Sequence, residues 1–302
     1  MNNLFSKLST KPIWYLEREL IYKYDLCKTE KKLNQLKPIN RGGEGENVLT
    51  CITIERDYEI ALWTIYSWLN LVDDFKVILF FDGEIPKKCL NTAKNILPLI
   101  EITTVDEFLK KEKLPSFIPE TFLKNSPCGR KFAIINILQN KYPLIYTDHD
   151  ILVYNYPSEI INNLSTNRCS ITIEEDIVYD EVIIKYADNR KLKYTPGFNS
   201  GLIGMPQNTL DEKLASELLE FWNSKQTINW FTEQTIHNIL LKSADATILP
   251  QCKYIISKDR MFYHEKDISY DEIVLRHFVN PVRHVMKISG IPELLKHKIF
   301  VN

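Results

Sequence analysis

The chain has 302 residues, 44% of them hydrophobic and 25% charged, with 38 basic side chains against 39 acidic ones. It is long enough to bury one large core or two small ones and too apolar to be disordered. The near-zero charge excludes the basic excess typical of nucleic-acid binding, and nine glycines exclude collagen-like or glycine-rich architectures.

No apolar run reaches the ~18 residues that cross a bilayer. The start, from Met1 to Ser9, lacks the apolar core of a secretory signal, so a cytoplasmic location is expected, with peripheral membrane contact left open. The six cysteines at 27, 51, 89, 128, 169 and 252 include no CxxC pair. They predict reduced, mostly buried thiols rather than a zinc or redox centre.

Residues 1–47 form a first unit. Leu16, Leu20, Tyr24 and Cys27 recur at helical spacing, and Arg41 to Asn47 holds three of the nine glycines. This reads as a helical extension and linker, packed on the main domain or on a partner, with oligomer contacts as one use. From Val48 to the end, residues 48–302, strand and helix patterns alternate. Val48 to Ile54 is a buried strand, Tyr58 to Leu71 a helix, and Lys76 to Phe81 a strand closed by the Asp82-Gly83 turn. Pro86 to Leu97 is a helix with proline in its first turn, and Leu99 to Thr104 a third strand. Such βαβ units predict an α/β fold with a mostly parallel sheet flanked by helices, whose ligands sit beyond the carboxyl ends of the strands. No GxGxxG or GxxxxGK[ST] run is present, which removes the main support for dinucleotide or P-loop chemistry.

After a helical pattern from Lys131 to Gln139, an apolar strand leads into Asp148-His149-Asp150 and then into a second apolar run. Two carboxylates two residues apart at a strand end can enter one cleft. There they offer hard oxygens to a divalent cation, which in turn neutralises a diphosphate. The competing reading is a solvated turn, but a charge between two hydrophobic stretches is costly unless it is paired. Farther on, Asn199-Ser200-Gly201 abuts an apolar strand, and Gly201 permits close backbone approach to a ligand. Glu233 and Gln234 lie at the positive start of a helix beginning at Thr232. His277 ends a strand pattern, with Arg283 after it, and stands open between a metal ligand and a structural histidine.

In this order and spacing, the segments resemble glycosyltransferases of the GT-A fold, a Rossmann-like α/β architecture. They are most similar to the retaining family eight, which includes glycogenin and bacterial lipopolysaccharide galactosyltransferases. The resemblance runs over residues 48–290 and rests on Thr53 and Tyr58, Lys131, the run from Tyr146 to Val153, Phe198 to Gly201, Glu233-Gln234 with Asn238, and His277-Phe278 with Arg283. It implies that Asp148, Asp150 and His277 hold Mn²⁺, or Mg²⁺, against a UDP-sugar diphosphate; mixed carboxylate and imidazole ligation favours Mn²⁺. It further implies Tyr58 near the uracil, Thr53 lining the base pocket, and Lys131 and Arg283 on the phosphates. Asn199, Ser200 and Glu233 would face the sugar; Gln234, beside the anomeric carbon, and Glu233, the alternative nucleophile, would be the catalytic pair.

The chain departs from the family pattern at Thr147, where leucine is usual, at His149, at Val279-Asn280-Pro281, where the family's glycine is missing, at Arg283 in place of lysine, and at Glu233 in place of aspartate. The implied reaction is transfer of a hexose, with retention, to a glycan, lipid-linked or protein acceptor. The alternatives are a non-catalytic nucleotide-sugar binding module and an inverting GT-A enzyme using Glu174, Glu175 or Asp176 as base. The acidic run at 174–176 and the stretch from Tyr179 to Tyr194 read as a loop near the site. Trp222 and Trp230 are either core residues or stacking platforms for a sugar.

Overall fold

The computed structural model describes residues 20–21, 27–126, 128–225, 229–256, 268–279 and 282–297. Helix α1 (Thr29–Leu33) lies on α2 (Tyr58–Leu69). The Trp63 indole N–H donates to Thr29 O at 3.3 Å, and the Tyr66 hydroxyl donates to Lys37 O at 2.8 Å. Leu33, Leu36 and Ile39 enter the same core cluster as Leu49, Trp63 and Phe81. Residues 29–39 are thus packed into the main core rather than tethered to it, while Leu16 and Tyr24 lie outside the described residues.

The strand and helix alternation is present in the expected order: β1 (Asn47–Thr53), α2, β2 (Phe75–Phe81), α3 (Lys87–Ile96), β3 (Glu101–Thr104), α4 (Val105–Lys111), α5 (Glu120–Asn125), α6 (Gly129–Gln139) and β4 (Leu144–Asp148). Pro86 caps α3 instead of entering its first turn. Every residue of α2 from Ile60 to Leu69 is buried, as befits an all-round apolar helix enclosed by protein. Beyond β4 come β5 (Ile151–Val153), α7 (Ser158–Ser165), β6 (Ser170–Ile173), α8 (Glu181–Asn189), β7 (Phe198–Met205), α9 (Glu212–Lys225) and α10 (Thr232–Ser243). The described chain closes with β8 (Thr247–Ile248), β9 (Tyr254–Ile256), β10 (Leu275–His277), α11 (Arg283–Val285), a π-helical turn over Met286–Gly290, and α12 (Ile291–His297).

The large sheet has the order β3-β2-β1-β4-β7-β6-β8. Its first four strands are mutually parallel, and β7 runs antiparallel to both β4 and β6. A second sheet, β5-β10-β9, pairs His277 with Ile151. The chain leaves the large sheet at Asp148 and joins the small one at Ile151, so the two aspartates stand at the junction of the sheets. On the other side of the junction, the β6–β7 register breaks between Ile171 and Thr172, where Ile203 and then Asn199 are the partners. Pairing of β7 with β4 ends at Leu202 opposite Thr147. Asn199 to Gly201 therefore runs on past the end of β4, beside the aspartates. Bulges of this kind re-aim side chains.

The stretch from Tyr179 to Tyr194 is not a simple loop. It contains α8, whose start is capped by Asp180 accepting from Val182 N and Ile183 N, and whose Ile183 and Ala187 are buried. Trp222 is a core residue, edge-on to Phe122 at 4.8 Å, whereas Trp230 is 67% exposed.

Candidate active site

Asp148 ends β4, Asp150 follows in the turn, and His277 ends β10. Among the described residues they are the group of acidic or imidazole donors close enough to share an ion, with one ligand atom from each lying within 4.8 Å of the others. His277 Nε2 is 3.1 Å from Asp150 Oδ1 and 3.7 Å from Asp148 Oδ2. Asp150 and His277 are buried; Asp150 Oδ1 has the His277 ring beside it, and His277 Nδ1 makes no hydrogen bond among the described residues. Donor atoms that converge in this way can share one divalent ion. Two carboxylates and one imidazole suit Mn²⁺ and tolerate Mg²⁺.

Close packing holds the imidazole in place. A Cβ placed on Gly201 would lie 2.3 Å from His277 Cε1 and 2.8 Å from its Nδ1. The close approach that Gly201 permits is therefore to the His277 ring. On the other side, Arg283 Nε donates to Asp150 Oδ2 at 2.8 Å, and Arg283 Nη1 donates to Asp57 Oδ2 at 3.1 Å. Burial raises the pKa of Asp150, but the Arg283 guanidinium and His277 more than offset it and hold the carboxyl well below its usual range. Asp150 is thereby kept ionised, the form a metal requires.

Lys131 joins this cluster to a second one. Its Nζ donates to Ser200 O at 2.8 Å and to Ser200 Oγ at 2.9 Å, and lies 3.6 Å from Asp148 and 3.7 Å from Glu233. Burial acts to discharge the ammonium, yet Asp148 and Glu233 together raise its pKa above the ordinary lysine value. Glu233 Oε2 accepts from Ser200 Oγ at 3.1 Å, and Oε1 accepts from His237 Nδ1 at 2.6 Å. Burial pushes the Glu233 carboxyl up, while Lys131 and His237 bring it below its usual value. Gln234 Oε1 accepts from Ser200 N at 3.3 Å, leaving its Nε2 buried and without a partner among the described residues. Asn199 Oδ1 accepts from Gly201 N at 2.9 Å, and its Nδ2 donates to Glu174 Oε1 at 3.3 Å.

The fold thus gathers Asp148, Asp150, His277, Arg283, Lys131, Asn199, Ser200, Glu233 and Gln234 into one connected constellation. Thr53 follows Ile52, the strand partner of Asp148, whereas the Tyr58 side chain turns towards Glu30 and Cys89. Thr53 is buried at the end of β1. Half-buried Tyr58 opens α2, where burial and the neighbouring Glu30 raise its phenol. His149 turns away from the three donors: its Nδ1 is 3.1 Å from Ile52 O and its Nε2 is 3.6 Å from Asp57.

Three participants escaped the reading of the sequence. Asp57 precedes α2 as a capping residue would, but its side chain caps nothing and instead anchors Arg283. The Tyr146 hydroxyl donates to Asp148 Oδ1 at 2.6 Å from within an apolar strand that carries no mark of a polar role. His237 follows Glu233 by four residues on a helix, and that spacing was the one available signal.

No protein-family model and no curated protein matches this chain. Solved structures do: the chain has the fold of GT-A glycosyltransferases, as the residues led one to expect. Among the similar structures, apo mouse xyloside xylosyltransferase 1 is 14% identical with a TM-score of 0.52, over 78% of this chain and 98% of that one. The galactosyltransferase LgtC, in complex with donor and acceptor sugar analogs, is 14% identical with a TM-score of 0.52, over 84% and 97%. The bifunctional glycosyltransferase WbbM is 13% identical with a TM-score of 0.55, over 84% of this chain; the chain spans about half of that protein, 51%.

Proposed function

We propose that this protein is a metal-dependent glycosyltransferase that moves a hexose from a UDP-sugar to a glycan, lipid-linked or protein acceptor with retention of anomeric configuration. The observation that carries the proposal is the convergence of Asp148, Asp150 and His277, the last two buried and His277 Nδ1 without a hydrogen bond among the described residues, at the carboxyl end of β4. These three residues would hold Mn²⁺ or Mg²⁺, and the ion, when bound, supplies positive charge against the departing diphosphate.

The protein's own groups complete the assignment. Thr53 and Tyr58 border the base, and Lys131 and Arg283 offset phosphate charge. Asn199, Ser200 and Glu233 address the sugar hydroxyls, and the unpartnered Gln234 Nε2 faces the reacting centre. A double displacement needs a free carboxylate nucleophile. Glu233 is only 2% exposed and both its oxygens are engaged, while Gln234 is an amide. The arrangement favours displacement on the front face: the C1–O bond to UDP breaks and a C1–O bond to the acceptor forms on the same side. The acceptor hydroxyl proton passes to the departing phosphate oxygen.

The test is calorimetric binding of UDP with Mn²⁺ and with EDTA, alongside an acceptor-free assay of UDP-hexose hydrolysis. Binding at least tenfold tighter with Mn²⁺, a difference abolished in Asp150→Asn, supports the metal site. Equal affinity in EDTA removes it. Metal-dependent binding with no turnover of any UDP-sugar would identify a binding module instead.

A further inference from the structure

We infer that His237 is a positioning residue for the sugar end of the donor site, acting through the Glu233 carboxylate; this rests on the glycosyltransferase reading above. The two residues lie one turn apart on α10, both buried. The His237 Nδ1–H donates to Glu233 Oε1 at 2.6 Å. Glu233 Oε2 takes the Ser200 hydroxyl at 3.1 Å and stands 3.7 Å from Lys131 Nζ. One oxygen is therefore fixed from behind and the other points into the Ser200–Lys131–Gln234 group. The imidazole itself packs on the Phe132 ring at 4.7 Å between centroids, and its Nε2 makes no hydrogen bond among the described residues. The charged contact to Glu233 is thus its polar engagement in an apolar setting.

Glutamate has three side-chain torsions, and a buried carboxylate oxygen without a donor is unfavourable. Without His237, Oε1 would seek Lys131 and Ser200, the donors within reach, and would pull both out of place. Those two residues also hold the neighbourhood of Gln234, since Ser200 N donates to Gln234 Oε1. The other end of the site is held by a separate set of bonds, from Arg283 to Asp150 and to Asp57. A defect at His237 should therefore appear in recognition of the sugar and spare recognition of the nucleotide.

The experiment compares Kd for UDP with Kd for the tighter-bound of UDP-glucose and UDP-galactose, with Mn²⁺ present, in the full chain. His237→Leu, which keeps bulk and removes the donor, should weaken UDP-hexose about tenfold, the order expected for one hydrogen bond to a charged group. UDP affinity should stay within about twofold. An asparagine amide N–H occupies the place of the imidazole Nδ1–H, so His237→Asn should restore most of the loss, whereas His237→Gln, whose amide reaches farther, should not. If His237→Leu shows no cooperative melt, the Asn and Gln variants decide by the same ratio. Equal weakening of UDP and UDP-hexose, or no weakening of either, overturns the inference while leaving the glycosyltransferase reading intact. A wild-type chain that binds neither UDP nor UDP-hexose overturns both.

Discussion

Replacing Gly201 by alanine should disable the candidate metal site from behind, without substituting any of its three donors. The added Cβ would sit 2.3 Å from His277 Cε1 and 2.8 Å from both His277 Nδ1 and Asn199 Oδ1. Carbon atoms in contact normally stay about 3.5 Å apart, so either the ring or the strand must move by roughly an ångström. The strand is poorly placed to yield, because the following residues of β7 are paired with β4. The imidazole is also buried, and its Nε2 lies 3.1 Å from Asp150 Oδ1. A ring displacement of that size carries Nε2 away from the point where the three donors converge. Overpacking of this kind costs about 1–3 kcal/mol of stability. Loss of orientation at a metal ligand costs roughly 10–100-fold in metal affinity.

Mn²⁺ titration with a paramagnetic readout, paired with urea denaturation, measures the two effects separately. Gly204→Ala is the control on the same strand, where the nearest atoms to a new Cβ are 3.2 and 3.3 Å away and belong to the side chains of Ile160 and Ser170. The reasoning fails if Gly201→Ala binds Mn²⁺ as the wild type does, or if Gly204→Ala loses metal to the same extent.

The buried α1 segment makes a stability prediction. Leu33→Ala should destabilise the whole domain by about 2–5 kcal/mol in chemical denaturation, because Leu33 is fully buried in the core that contains Trp63 and Phe81; a change below 1 kcal/mol would mean that residues 29–39 are a detachable appendage. Glu159 makes a pH prediction. Partial burial opposes its ionisation, but hydrogen bonds from Lys253, Tyr254 and Ser158 hold its pKa down at about 2, against 4.5 ordinarily. The unfolded chain therefore binds the proton more readily, and the contribution is complete above about pH 5 and is lost as pH falls towards 2. Glu159→Gln should accordingly lower the melting temperature at pH 7 and converge with the wild type only below about pH 2, and a difference that grows on acidification would contradict this assignment.

Much of the architecture is written locally. Runs such as Val48 to Thr53 and Lys76 to Phe81 are apolar on both faces, and the helices between them recur at helical spacing. These patterns define a parallel α/β sheet because periodicity is a property of neighbouring residues. The Asp148-His149-Asp150 step stood out for a similar reason: charge between two hydrophobic runs demands a partner. Local pattern did not contain the partners, and His277 and Arg283 were joined to the aspartates only through the family resemblance. Arg283 reaches Asp57 across 226 positions, and His277 meets Asp150 because β10 pairs with β5, only three residues long, in a second sheet that no periodicity marks. The reversal of β7 against β4, the register break that carries Asn199 to Gly201 past the end of β4, and the face taken by His149 likewise depend on which strands lie side by side. Capping, turns and amphipathic faces are fixed by residues within a few positions of one another. Pairing between distant strands is fixed by which buried surfaces fit, and only the folded chain brings those surfaces together.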